Sequence, residues 1–329
     1  MSGITFRPAE MDGVGLFIAI EGSSRTGKTF TALTLARGIA GPNGRIAAID
    51  TEGKRMSHYK DKFLGADGTP FDVWNMPPPF SGDRFVDGAR AAQEAGYACM
   101  VVDSFSLEWS GAGGVLAEHA RQWAALNHDP KKSDQVWNRV KGPGSQHKLM
   151  MDSFLQLTMP VIFCLRTNEV APHLGGGWKV DQDKRFLYEW TVALTLHPDT
   201  PGMPRYDMVD AKRKPLWKVQ EQHRHLFPEG KLITAEAGAA LQAWRNTDTA
   251  RASTSVNRQP DPPTPAEIAA HLVERFDALE TRQAHDAMMA DDLVRRQVDW
   301  LGKKHPELAA QVDVARKASE HRHPSAEAA

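Results

Sequence analysis

Apolar residues fall along this chain in short runs separated by amphipathic stretches, and that alternation predicts a mostly parallel sheet covered by helices. The first run, Leu16 to Ile20, leads straight into a glycine-containing turn. After the turn, Ala32, Leu35, Ala36 and Ile39 recur at i, i+3, i+4, i+7, the spacing of one helix face. The turn formers Gly41-Pro42-Asn43-Gly44 end that helix. A second strand is expected over Ile46 to Ile49, a helix over Arg84 to Ala95 and a strand over Tyr97 to Val102. A helix around His147 to Leu157 then leads into a strand at Val161 to Leu165. Shorter β-like pieces follow at Trp190 to Leu196, Arg205 to Val209 and Leu216 to Val219, and a helix near Glu236 to Trp244. The pattern assigns residues 1–245 to one α/β domain.

Residues 246–263 change character, being rich in Asn, Thr, Ser, Arg, Gln and Pro with little to bury, and read as a linker. Thr264-Pro265-Ala266-Glu267 is a helix-start signature: a capping threonine, a proline in the first turn and a glutamate three residues on. Ile268, Leu272, Phe276 and Leu279 give that helix an apolar stripe, and two more helical stretches are expected around Asp291 to Leu301 and Pro306 to Ala318. Residues 264–320 therefore read as a small helical module, and 321–329 as a tail without fixed structure.

Composition narrows this picture in three ways. The 40 Lys and Arg nearly balance 41 Asp and Glu, so nothing global favours nucleic acid or an anionic membrane, and any such claim rests on local patches. The two cysteines, Cys99 and Cys164, both lie inside apolar runs, which excludes a disulfide framework and suits a reducing cytoplasm. No basic segment followed by a long apolar stretch opens the chain, and no window approaches the length of a membrane span, so neither a secretory leader nor a membrane partner is expected.

The chemistry concentrates after the first strand. Gly22-Ser23-Ser24-Arg25-Thr26-Gly27-Lys28-Thr29 fits the P-loop pattern, Gly, four residues, Gly-Lys-Ser/Thr. Its glycines let backbone N–H groups curl around a phosphate while the following helix points its positive end at the same anion. Residues 22–29, with Phe30 beside them, are the expected ATP contacts. Lys28 is expected on the β- and γ-phosphates, and the Thr29 hydroxyl on Mg²⁺. Asp103, at the end of an apolar strand, is placed to hold Mg²⁺ through a water. Hydrolysis also needs a base to orient water. Glu52, just after the second strand, is one candidate, and Glu108, five residues past Asp103, is the other.

Ile49-Asp50-Thr51-Glu52-Gly53 resembles the motif after the second strand of RecA- and RadA-like recombinases. The order of pieces is similar too: P-loop, Asp-Thr-Glu-Gly, Val101-Val102-Asp103-Ser104, then the polar strand end Arg166-Thr167-Asn168. More narrowly, residues 14–220 resemble the RecA-like, AAA-type nucleotide-binding proteins of bacteriophages implicated in single-strand annealing and recombination. The resemblance implies a RecA-like core, ATP hydrolysis with Glu52 as base and Arg166 in the catalytic set, and assembly as a ring or filament. It implies a trans-acting cation, for which Lys212 and Arg213 are the candidates. It also places a DNA-binding loop at Val170 to Lys184, with Trp178 beside Lys179, a basic loop at Lys179 to Arg185 and a strand at Tyr188-Glu189-Trp190. Lys131, Lys132, Arg139, Lys141 and Lys148 form a second basic region. The leading expectation is an ATPase stimulated by single-stranded DNA. A nucleotide-gated module whose C-terminal helices bind a protein partner is the alternative, and a small-molecule kinase is disfavoured by Asp-Thr-Glu-Gly.

Overall fold

Strand-forming runs and helix-forming stripes alternate in the structure, a computed structural model that describes residues 15–247 and 264–322. The described residues form two compact units, one on each side of the segment 248–263. The expected linker thus lies almost wholly outside the described residues, as does most of the expected tail.

The first unit is built on a sheet of strands β1 (Phe17–Gly22), β2 (Ile46–Asp50), β3 (Asp72–Asn75), β4 (Cys99–Asp103), β5 (Val161–Glu169), β6 (Trp178–Val180), β7 (Val192–Leu196) and β8 (Lys218–Val219). Their order is β3-β2-β4-β5-β1-β7-β8, and β6 pairs with β5. The pairings from β3 to β7 are parallel, while β8 and β6 join antiparallel. Helices α1 (Lys28–Ala40), α2 (Gly82–Glu94), α3 (Ser106–Ser110), α4 (Val115–Ala125), α5 (Ser133–Lys141), α6 (Gln146–Phe154), α7 (Phe186–Glu189), α8 (Glu221–Arg224) and α9 (Ala235–Arg245) connect them. This is the expected α/β class, a mostly parallel sheet flanked by helices.

Central strands of a parallel sheet are buried on both faces, which is why they read as unbroken apolar runs. Successive residues still point to opposite faces. Ile18, Ile20, Ala48, Val101 and Ile162 pack with Leu33, Leu35 and Leu241 on one face. Phe17, Ala19, Ile49, Val102 and Phe163 pack with Phe85, Phe105 and Phe154 on the other. Phe105 is central to that second core, with its ring 4.7 Å from Phe163 and 5.3 Å from Phe85. Burying each such side chain contributes about 2–3 kcal/mol. Cys99 and Cys164 are buried free thiols.

Several elements differ from expectation. Arg205 to Val209 is not a strand: the region makes only the isolated bridges Leu196–Pro204 and Val209–Pro215, because Pro201, Pro204 and Pro215 remove backbone donors. Tyr188-Glu189-Trp190 is not a strand either. Tyr188 and Glu189 belong to the one-turn helix α7, and Trp190 is extended only as it enters β7. The edge strand β3 and the helices α4 and α5 are additions to the elements the sequence pattern marks.

The second unit contains α10 (Pro265–Asp277), α11 (Arg282–Ala290), α12 (Asp292–Lys304) and α13 (Pro306–Arg322). Thr264 caps α10 as its sequence indicates: its hydroxyl accepts from the Glu267 N–H, and the Glu267 carboxylate accepts from the Thr264 N–H. Leu272 and Phe276 anchor a core shared with Met288, Val294, Leu301 and Val312. Helix α11 is an addition to the two helices expected after α10; its stripe is short and broken by His285, which is buried against Ser319. Among the described residues no helix is long and apolar enough to cross a membrane.

Candidate functional site

Strand β1 delivers the chain to residue 22 at the C-terminal edge of the sheet, and α1 begins six residues later. The turn between them needs glycine at two places. A Cβ on Gly22 would lie 2.5 Å from the Thr26 hydroxyl, and Gly27 has φ of +83°. The loop is closed from within by the Thr26 hydroxyl and the Lys28 ammonium, which donate to the Ser23 carbonyl at 3.0 and 2.7 Å. From outside, the Gly202 N–H donates to the Thr26 carbonyl at 2.9 Å. The result is a tightly closed turn at the positive end of α1, where the helix start favours an anion such as phosphate.

Strand order decides what stands next to this loop. Because β5 lies between β1 and β4, the end of β4 projects toward the start of α1. The Thr29 hydroxyl donates to the Asp103 carboxylate at 2.5 Å. Burial raises the Asp103 carboxyl to about 6, against the lowering effect of the Thr29 hydrogen bond, and Glu52 pushes in the same direction as burial. Burial likewise lowers the Lys28 ammonium, opposed by the charges around it, Asp103 and Glu52 among them. The pair Thr29 and Asp103 is a hard-oxygen donor set of the kind Mg²⁺ uses when phosphates and waters complete its shell. Among the described residues there is no cluster of three or more His, Cys, Asp or Glu that would hold a metal by itself. The residues therefore fit a nucleotide-dependent magnesium site.

The Asp-Thr-Glu-Gly segment assigns a task to each residue. The Asp50 carboxylate accepts from the N–H groups of Glu52 and Met56, at 2.7 and 2.9 Å. The Thr51 hydroxyl donates to the Ser104 carbonyl at 3.0 Å and accepts from the Ser104 N–H at 2.8 Å, tying the end of β2 to the end of β4. Gly53 takes φ of +75° to turn the chain away. Glu52 is left facing the end of β5, two strands away, where Arg166 donates to its carboxylate at 2.6 and 3.2 Å. Arg55 lies against its other oxygen at 3.4 Å.

The structure thus brings together Gly22 to Thr29, Asp103, Glu52 and Arg166. Phe30 points elsewhere: its ring packs edge-on against Phe63 at 5.1 Å and Tyr59 at 6.1 Å. Glu108 is buried in a separate network, accepting from His147 at 2.8 Å and from Gln182 at 3.3 Å. His147 also faces Asp183 at 3.7 Å. Burial alone would lower that imidazole, but Asp183 and Glu108 outweigh it and raise it to about 9. Sequence spacing could not separate Glu52 from Glu108, since both follow a strand end; only the partners of each carboxylate do.

Lys212 and Arg213 lie in the turn between Asp210 and Lys214 and make no contact with the P-loop among the described residues. The glycine-rich stretch forms the β5–β6 hairpin, with Trp178 opposite Glu169 and Lys179 opposite Asn168. The second basic region is largely paired. Lys148 pairs with Asp152, Lys132 with Asp129 at 3.9 Å, and Lys141 with Asp183 at 3.6 Å while lying over the Trp137 ring.

No family model matches the chain, and no curated protein matches it. Among solved structures, the chain is similar to a KaiC-like protein from the hyperthermophilic archaeon Pyrococcus horikoshii. Identity is 13%, coverage is 56% of this chain and 72% of that one, and the TM-score is 0.31. The fold assignment rests on strand order and register instead.

Proposed function

We propose that this protein is a magnesium-dependent ATPase whose turnover is stimulated by single-stranded DNA. The observation that carries the first half is the contact between Thr29 and Asp103, side chains 74 residues apart that meet where the P-loop turn enters α1. In this reading residues 22–29 hold the triphosphate, with the Lys28 ammonium on the β- and γ-phosphates. Thr29 and Asp103 hold Mg²⁺, which supplies charge neutralisation on the phosphate oxygens when bound. Glu52 accepts the proton of a water that attacks the γ-phosphorus. The bond to the β-phosphate oxygen breaks, and ADP and phosphate leave. Arg166 positions the Glu52 carboxylate through its two hydrogen bonds.

What supports the nucleic-acid half is local charge. Lys179, Lys184, Lys212 and Lys214 are exposed and close around one aromatic-walled hollow, in a chain whose net charge is only −1.

The test is ATP hydrolysis by the purified chain with and without single-stranded DNA, alongside Lys28→Ala and Glu52→Gln. Stimulation by DNA that both substitutions abolish is the expected result. Lys28→Ala should lower kcat/KM by about 10²–10³-fold and Glu52→Gln should lower kcat by about 10²–10⁴-fold. Hydrolysis that ignores DNA yet vanishes in Lys28→Ala would leave the ATPase standing. It would move the reading to a nucleotide-gated interaction module, favoured by Leu293, Trp300 and Val314, which stand exposed on the C-terminal unit.

A further inference from the structure

Glu21 is the last β1 residue before the P-loop, and it has no role in the chemistry above. Its neighbours on the same strand face, Phe17 and Ala19, belong to the core opposite α1. Glu21 is fully buried there, and among the described residues neither carboxylate oxygen has a hydrogen-bond partner. Leaving a buried carboxyl unsatisfied costs several kcal/mol, so something must compensate or use it. Burial pushes it up to about 8, so near neutrality it is mostly a neutral acid, able to donate one hydrogen bond and accept another.

Glu21 lines a cavity of about 720 Å³ on this face of the sheet, next to Leu165, its register partner on β5. The walls carry three indoles, Trp109, Trp178 and Trp190. Around them stand Lys179, Lys184, Lys212 and Lys214, all exposed and none in an ion pair among the described residues. The two acidic neighbours are already engaged. Asp183 accepts from Arg185, and Asp210 accepts from the N–H groups of Lys212 and Lys214 at 2.8 Å. A flat ring with hydrogen-bonding edges suits the indoles and the acid, and an anion suits the lysines.

We propose that this cavity receives one nucleotide unit, its base among the tryptophans with an edge on Glu21 and its phosphate on the lysines. The proposal rests on the nucleic-acid half of the preceding reading and gives it a site. It also places the ligand against the residue that joins directly to Gly22, so occupancy bears on the phosphate loop through one peptide unit. The unit could arrive within a single strand or as a free mononucleotide, and the two sources share the same contacts.

The test uses the full-length chain carrying Lys28→Ala, which removes the P-loop as a competing nucleotide site. A fluorescein-labelled oligothymidylate is titrated by anisotropy, and thymidine monophosphate by quenching of tryptophan emission. The expected result is strand binding that weakens at least tenfold in Lys179→Glu/Lys184→Glu and at least fivefold in Glu21→Leu. Glu21→Leu is matched in size and removes the orphaned carboxyl, so it should melt higher than its parent while binding worse, an outcome that a damaged fold cannot produce. Mononucleotide binding lost in the same variants would support a pocket open to free nucleotides. Strand binding alone, lost in those variants, would support delivery by a strand. Equal affinity in Glu21→Leu and its parent, or no binding of either probe, would overturn the proposal. Binding is read without turnover, so DNA-stimulated hydrolysis can fail while the cavity stands, and the reverse.

Discussion

Single side chains in this protein are held at a cost, and their titration exposes it. Glu21 has a folded pKa of about 8 against an ordinary 4.5, because burial disfavours its charged form. Raised in the fold, it favours the folded state when protonated. That contribution is complete below about pH 4.5 and is lost as pH rises through about 8, an effect bounded at about 5 kcal/mol. Thermal melting between pH 5 and 9 should therefore show the parent losing stability relative to Glu21→Gln as pH rises; parallel curves would remove the buried-acid description. Asp103 behaves in the same sense over a lower window, between its ordinary 3.8 and about 6. Asp103→Asn should flatten the pH dependence there, and it should also raise the magnesium concentration needed for half-maximal nucleotide binding at pH 7.5. At this scale the P-loop residues and Thr29 were legible in the sequence, since their spacing alone implies a phosphate cradle. The partners of Glu52 and the isolation of Glu21 were not, because Arg166 lies 114 residues from Glu52 and an orphaned carboxyl has no sequence signature.

Between elements, the contact that most depends on small residues joins α1 to α9. A Cβ on Gly38 would lie 1.8 Å from the Ala235 carbonyl oxygen, and one on Gly238 would lie 2.3 Å from the Leu35 carbonyl oxygen. The two backbones therefore touch, and α9 adds Ala237 and Leu241 to the core on the α1 face of the sheet. Gly38→Val should destabilise the first unit by at least about 3 kcal/mol and lower nucleotide affinity with it. A melting temperature within about a degree of the parent would show that α9 is not clamped there. Helical periodicity made both helices legible, but Gly38 and Gly238, 200 residues apart in different helices, carry no mark that they face each other. The strand expected at Arg205 to Val209 failed for a related reason. β-like composition was present, while the prolines around it prevent a continuous ladder.

Over the whole molecule, two compact units divide the labour. The first unit holds the sheet and the candidate nucleotide site, while the second closes its own core around Leu272, Phe276 and Leu301. A fragment of residues 253–329 should accordingly show a helical circular-dichroism spectrum and a cooperative melt, marginal for its size. A non-cooperative, largely unfolded fragment would show that this core needs the rest of the chain.

By itself the sequence determined the α/β class, the glycine turn between β1 and α1, the strand-end acid at Asp103 and the capped start of α10, because each rests on local spacing: period two or 3.6, a glycine turn, a capping box. Only the tertiary structure decided that β5 separates β1 from β4 and so sets Asp103 against Thr29. It alone decided that Glu52 meets Arg166 while Glu108 meets His147, and that Glu21 ends in a lysine-rimmed cavity. Those are contacts between residues distant in the chain, chosen by strand order and by which face of the sheet each side chain occupies, and local pattern carries neither.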